Sequence, residues 1–190
     1  MTSENPSKKK KIILAITGAS GSIYAQRLLQ QLEQQKDLVE VGVVLSKNAP
    51  DVWNHELGIP FSTIFPVYDR SDYRAPFASG SARYEHMVIA PCSMGTLGRI
   101  AHGISDDLTS RAADVILKER RQLLCMVRDT PFNLIHLENM RSLTIAGATM
   151  IPAIPSFYSR PTTIEEVVDT VVHRILDQLG LELQTYRWGE

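Results

Sequence analysis

The sequence has little of several things that define whole protein classes. Its 190 residues include two cysteines, 7% aromatic side chains and a formal net charge of only −1, and no apolar run approaches the roughly 18 residues of a membrane span. Cys92 and Cys125 both fall in apolar, strand-like settings without a Cys/His spacing. That excludes a disulfide-stapled scaffold and a zinc module, and reads as two reduced core residues of a cytoplasmic protein. A near-neutral sum speaks against a dedicated nucleic-acid binder, which would be strongly basic. No Gly-Lys-Ser/Thr is present, so a Walker P-loop is excluded, and Gly18 and Gly21 fall short of the GxGxxG fingerprint. No Tyr is followed four residues later by Lys, so the short-chain dehydrogenase pair is missing too.

What is present is a globular composition, 44% apolar and 22% charged, at a length that fits one domain. The charge is unevenly placed. Lys8 to Lys11 put four of the twenty cations in one run, and setting aside residues 1–11 leaves 16 cations against 20 anions. Residues 1–10 are expected to be a disordered basic tail without the apolar core of a signal peptide, and residues 11–190 a single, mildly acidic domain. Clustered Arg and Lys inside that domain then need a reason.

Lys11 to Ile16 is a short unbroken apolar run, as expected of a parallel strand covered on both faces. A helical spacing follows over Ile23 to Leu32, then a second strand, Val39 to Leu45, giving the βαβ unit of a doubly wound sheet. A helix is predicted from Ala49 to Leu57. Residues 60–83, rich in Pro, Ser and Gly, read as a long irregular excursion. His86 to Pro91 and Leu123 to Val127 are further strands, separated by a helical repeat through Leu108, Ala112, Val115 and Ile116. Pro131 is expected to open a helix through Leu134, Leu137 and Met140, ending near Gly147. Ala148 to Ile151 is a short apolar stretch. Thr163-x-x-Glu166 is a capping box, and Ile164 to Leu179 carries one apolar stripe that Gly180 stops. The fold class is α/β: one doubly wound, mostly parallel sheet with helices on both faces, a Rossmann- or flavodoxin-like arrangement of three layers.

In such sheets ligands bind outside the carboxyl ends of the strands. Three of those ends are small and polar: Thr17-Gly18-Ala19-Ser20-Gly21, Ser46, and Cys92-Ser93-Met94-Gly95-Thr96. Each could serve merely as a helix N-cap, but three around one crevice favour a phosphorylated cofactor. Ser46 stands where an acid would hold an NAD ribose, which leaves a nucleotide monophosphate or flavin mononucleotide (FMN). Arg120 and Arg121 read as solvated surface charges, and Arg111 as the partner of Asp114 three residues on. Arg128 and Arg174 suit a cleft, where a second phosphate would justify them.

Taken together, TGASG at 17–21, ASGS at 78–81 and PCSMGT at 91–96 resemble the UbiX-type flavin prenyltransferases. So do RAADV at 111–115, LKERR at 117–121, VRDTP at 127–131, HLENM at 136–140, Phe157-Tyr158 and RWGE at 187–190. The likeness covers residues 11–190. It implies a metal-independent transfer of a dimethylallyl group from dimethylallyl monophosphate to N5 and C6 of reduced FMN, the product serving UbiD-type decarboxylases. It also implies a homo-oligomer, a dodecamer, with sites shared between subunits. By the resemblance, Gly18, Ala19, Ser20, Ser46, Ser93, Met94, Gly95, Thr96 and Arg128 hold FMN. Lys118, Arg128, Tyr158 and Arg174 surround the donor phosphate, Ser20 and Glu56 handle protons near N5, and Trp188 closes the pocket. Glu56 by itself reads as an exposed helix-end carboxylate. Asp129 stands where the family usually carries Glu, which puts its acid–base role in doubt, and His102 stands where Asn is common. Two rival readings are an FMN-dependent cysteine decarboxylase, whose Pro-x-Met-Asn-x-x-Met-Trp signature is absent, and a non-catalytic FMN-binding subunit.

Overall fold

The computed structural model describes residues 9–183 together with Thr185 and Gly189. Among these residues six strands, β1 (Lys10–Ile16), β2 (Val39–Leu45), β3 (Val67–Tyr68), β4 (His86–Cys92), β5 (Gln122–Val127) and β6 (Thr149–Met150), form one sheet in the order β3-β2-β1-β4-β5-β6. Every neighbouring pair is parallel. The chain therefore starts in the middle of the sheet, builds outward to β3, then crosses to the other side of β1 to lay down β4.

Alternation along β1 explains why its run is apolar throughout. Ile12, Leu14 and Ile16 point into one core with α1 (Ser22–Gln34), α2 (Ala49–Leu57) and α6 (Ile164–Gln178). Ile13 and Ala15 point into the other, with α3 (Met94–Ala101), α4 (Leu108–Lys118) and Leu143 of α5 (Leu134–Ile145). The α1–α6 contact is locked by a bidentate pair, Arg27 Nε to Asp169 Oδ1 at 2.8 Å and Nη2 to Oδ2 at 2.6 Å. Cys92 and Cys125 are buried free thiols.

Five expectations need correction. Arg121 is not a solvated charge: its side chain is largely buried and donates to Tyr84 O at 3.1 Å and Gly80 O at 2.8 Å, tying the end of the excursion to β5. Lys10 belongs to β1, pairing with Val39, and Lys9 donates to Lys36 O at 2.9 Å, so the folded body begins before residue 11; residues 1–8 of the expected tail lie outside the described residues. The 60–83 excursion is not wholly irregular: it holds β3 and two short 3-10 turns, pinned by Phe77, whose ring packs edge-on to Tyr68 (5.0 Å) and Tyr84 (5.3 Å). α5 opens not at Pro131 but after Asn133, whose side chain accepts from the His136 N–H at 2.9 Å. Ile164 is 70% exposed and stands outside the α6 stripe, because a first-turn residue lies beyond the edge of the core.

Candidate active site

In the order 3-2-1-4-5-6 the topological switch lies between β1 and β4, where loops leaving in opposite directions open a crevice. Thr17 holds this point together: its hydroxyl donates to Pro91 O at 2.6 Å and accepts from the Ser93 N–H at 3.0 Å. The sequence puts Thr there because a buried strand end must satisfy two backbone groups with one short side chain. Gly18 follows because a Cβ would sit 2.9 Å from Asn48 Cβ. Gly21 adopts φ 111°, a left-handed conformation that turns the loop into α1.

A crevice of about 360 Å³ opens here, lined by Gly18, Ser46, Ser93 and Thr96 from the expected flavin set. Ser93 is also the N-cap of α3, so the capping and the crevice-lining readings hold at once: its oxygen accepts from Thr96 N–H at 3.3 Å and its hydroxyl donates to Thr96 Oγ1 at 3.1 Å. Met94 is buried under the helix start, whereas Gly95 is exposed. Arg99 and Arg70 line the same crevice, as do Asp106 and Asp107, and none of the four was read from the sequence as a site residue. For Arg99 a signal existed: it stands three residues after Thr96, on the same face of α3.

A few residues away, Arg128 Nε donates to Ser20 O at 2.7 Å and so fixes the β1 turn against the end of β5. Glu56 is exposed by area yet fully engaged. Its carboxylate accepts from Gly21 N–H at 2.9 and 3.1 Å and from Ser22 N–H at 2.7 Å, capping α1 from across the loop. Burial raises this carboxyl, but the Ser20 hydroxyl and the Ser22 and Gly21 N–H groups outweigh it, and its pKa lies below the ordinary 4.5. A depressed carboxyl stabilises the fold above its unfolded pKa and stops doing so as pH falls through the folded value. Wild type is therefore expected to be more stable than Glu56→Gln at neutral pH, the gap shrinking below about pH 4.5. Urea unfolding of both proteins across that window checks this, and a gap that stays constant to pH 3 refutes it.

The residues expected around a second phosphate are not all brought together in one chain. Tyr158 and Arg174 share a groove of about 890 Å³ along α6, with Asp169, His173 and Asp177, and no residue lining it also lines the β1–β4 crevice. Arg174 is 67% exposed and pairs with Asp177 at 3.1 Å. Lys118 ends α4, the helix that returns to the amino edge of the sheet, and there Nζ meets Glu119 at 2.7 Å. The depth of the sheet, about 20 Å for a six-residue strand, separates it from the crevice. Asp129 is exposed and accepts from Thr130 N–H at 2.9 Å. Arg111 pairs with Asp114 at 3.1 Å, as its spacing predicts, and also donates to Ala78 O at 3.1 Å. Trp188 lies outside the described residues.

A family profile described as Flavoprotein matches residues 1–176. The flavin prenyltransferase UbiX of Methanocaldococcus jannaschii is 45% identical over 184 residues, covering 94% of this chain and 98% of the relative. The chain belongs to the UbiX-type flavin prenyltransferases. Two solved members of the family share the fold at high coverage. AnUbiX (PadA1), in complex with FMN and dimethylallyl pyrophosphate, has a TM-score of 0.89 and 38% identity over 96% of this chain and 100% of its own. The dodecameric FMN-dependent UbiX-like decarboxylase of Escherichia coli O157:H7 has a TM-score of 0.87 and 41% identity over 95% of this chain and 100% of its own. The shared fold covers nearly the whole chain.

Proposed function

We propose that this flavin prenyltransferase moves a dimethylallyl group from dimethylallyl monophosphate to N5 and C6 of reduced FMN, and that a UbiD-type decarboxylase takes up the product. The observation that carries the reading is the existence of two separate anion-suited grooves: hydroxyls and helix start at the β1–β4 switch, and Tyr158 with Arg174 along α6. A flavin carrier would need only the first. AnUbiX, of the same fold, holds both an FMN and a dimethylallyl diphosphate ester.

The crevice fits a flavin phosphate. It presents the Ser46, Ser93 and Thr96 hydroxyls and an arginine, Arg99, whose buried Nε has no hydrogen-bond partner among the described residues. Gly18, Ala19, Ser20, Met94, Gly95 and Arg128 complete the flavin-holding set. When bound, the reduced flavin supplies the nucleophilic N5 and C6 positions. Breaking the allylic C–O bond of the donor leaves a phosphate dianion, and fixed cations with a phenol stabilise that departing charge. Arg174 and Tyr158 do this from one chain, and Lys118 from a neighbouring copy. Glu56, kept ionised by its N–H donors, accepts a proton by way of Ser20 rather than giving one. Asp129 is too short to reach as far as the usual Glu.

Sharing between copies requires an assembly, and the surface is built for one. Leu134 (72% exposed), Ile135 (68%) and Ile145 (72%) put apolar side chains on the outer side of α5, around the exposed Glu138–Arg141 pair. We assign the chain to a homo-oligomer, a dodecamer like the E. coli relative, in the cytoplasm. Among the described residues no helix is long and apolar enough to cross a membrane.

Anaerobic incubation with reduced FMN and dimethylallyl monophosphate, followed by mass spectrometry of the flavin, is expected to show a gain of one prenyl unit. An unchanged flavin mass rules the reading out.

A further inference from the structure

Arginines that serve only the fold leave a recognisable pattern, and Arg27 shows it: two short bonds, 2.8 and 2.6 Å, to both oxygens of one carboxylate. Arg99 does not. Its Nη2 reaches Thr96 Oγ1 at 3.3 Å and Asp107 Oδ2 only at 3.8 Å. Its Nε stands 3.3 Å from Asp106 Oδ1 but outside hydrogen-bonding geometry, and among the described residues that buried N–H has no acceptor. A guanidinium with five donors and no short partner, in a side chain only 35% exposed, is costly to keep unless an anion is meant for it.

The two nearby carboxylates do not fill that need. Asp107 is held by the α4 N-cap, its Oδ1 accepting from Ser110 N–H at 2.8 Å and from its hydroxyl at 3.0 Å, and that leaves Oδ2 at 3.8 Å from Arg99, beyond hydrogen-bond distance. Asp106 is 57% exposed, so its pull is weakened by water. Around the same crevice stand the Ser46, Ser93 and Thr96 hydroxyls, with the exposed cations Lys47 and Arg70 at its rim. Donors converging from several directions suit a tetrahedral phosphate better than a planar carboxylate.

We propose that Arg99 is a phosphate-binding residue of this crevice, and that its contact makes the site prefer FMN to riboflavin. This rests on the flavin reading above and adds the residue that discriminates on the phosphate. Asp106 then plays the opposite part. It holds the guanidinium in place but competes with the phosphate for it, so removing its charge frees Arg99 for the ligand.

The test is a set of binding titrations of FMN and riboflavin by flavin fluorescence quenching, on wild type, Arg99→Gln, Arg99→Lys and Asp106→Asn. Arg99→Gln is expected to weaken FMN about ten- to a hundredfold, the range of a charged hydrogen bond, with riboflavin changed less than about twofold. Arg99→Lys, which keeps the charge without the fork, is expected to fall between, and it answers the question if the Gln variant does not fold. Asp106→Asn is expected to bind FMN as tightly as wild type or several-fold tighter. Equal losses for FMN and riboflavin overturn the proposal, as does an Asp106→Asn loss matching that of Arg99→Gln, since the pair would then only brace the α3–α4 loop. Wild type binding both flavins equally overturns it while leaving the flavin reading intact. Wild type binding neither overturns both.

Discussion

Replacing Arg174 by alanine is expected to lower prenyl transfer by about a hundred- to a thousandfold, the usual cost of losing one group that stabilises developing charge, while FMN affinity stays unchanged. The separation follows from geometry. Arg174 lines the α6 groove with Tyr158, and none of the residues lining the β1–β4 crevice belongs to it. Its side chain is 67% exposed and its near partner, Asp177, is its own helix neighbour, so the fold asks little of it. The departing phosphate asks much, because a dianion forms in a site from which water must be kept. Single-turnover transfer measured beside FMN titration separates the two effects. Loss of FMN binding in Arg174→Ala would place the flavin phosphate, not the donor phosphate, at this arginine.

The second large effect concerns the sheet that positions both grooves. Leu14 is completely buried in the central strand, packed among residues of β1, α1 and α6. Leu14→Ala is expected to cost about 2–5 kcal/mol, the transfer term plus the cavity left behind. For a chain of this size each kcal/mol lowers the thermal midpoint by roughly 2–4 °C. Urea and thermal unfolding of the flavin-free protein measure it, with Ile64→Ala, at a side chain 62% exposed and away from α5, as the control that leaves stability nearly unchanged. A Leu14→Ala protein as stable as wild type would mean that β1 is not the centre of the core.

Local chemistry made much of this legible. Thr163 and Glu166 form the reciprocal capping box their spacing predicts, and Gly180 takes φ 63° just past α6. β2 and α2 lie at their expected bounds, because two-sided burial and helical periodicity are properties of neighbouring residues. The three polar strand ends were legible for the same reason. Illegible were the features that depend on distant segments. Phe77, which orders the 60–83 excursion, packs against Gly42 of β2, 35 residues away, where a Cβ would sit 2.7 Å from its ring. The outward face of α5 could not be told from a core face, since periodicity reports a helix and not what covers it. Glu56 looked like a loose helix-end carboxylate because its three N–H contacts come from 34 and 35 residues away.

By itself, then, the sequence determined most of the strands and helices, though not β3, that the central strands are buried on both faces, and that small polar turns close three of them. Those follow from side-chain period, capping chemistry and backbone sterics, all short-range. Only the tertiary structure decided that β4 lies beside β1, which places Ser93 and Arg99 opposite Gly18 and Ser46. It alone decided that Lys118 stands a sheet's depth away from them. Strand order is set by long-range packing of whole layers, and a residue's reach across the sheet is not written in its neighbours.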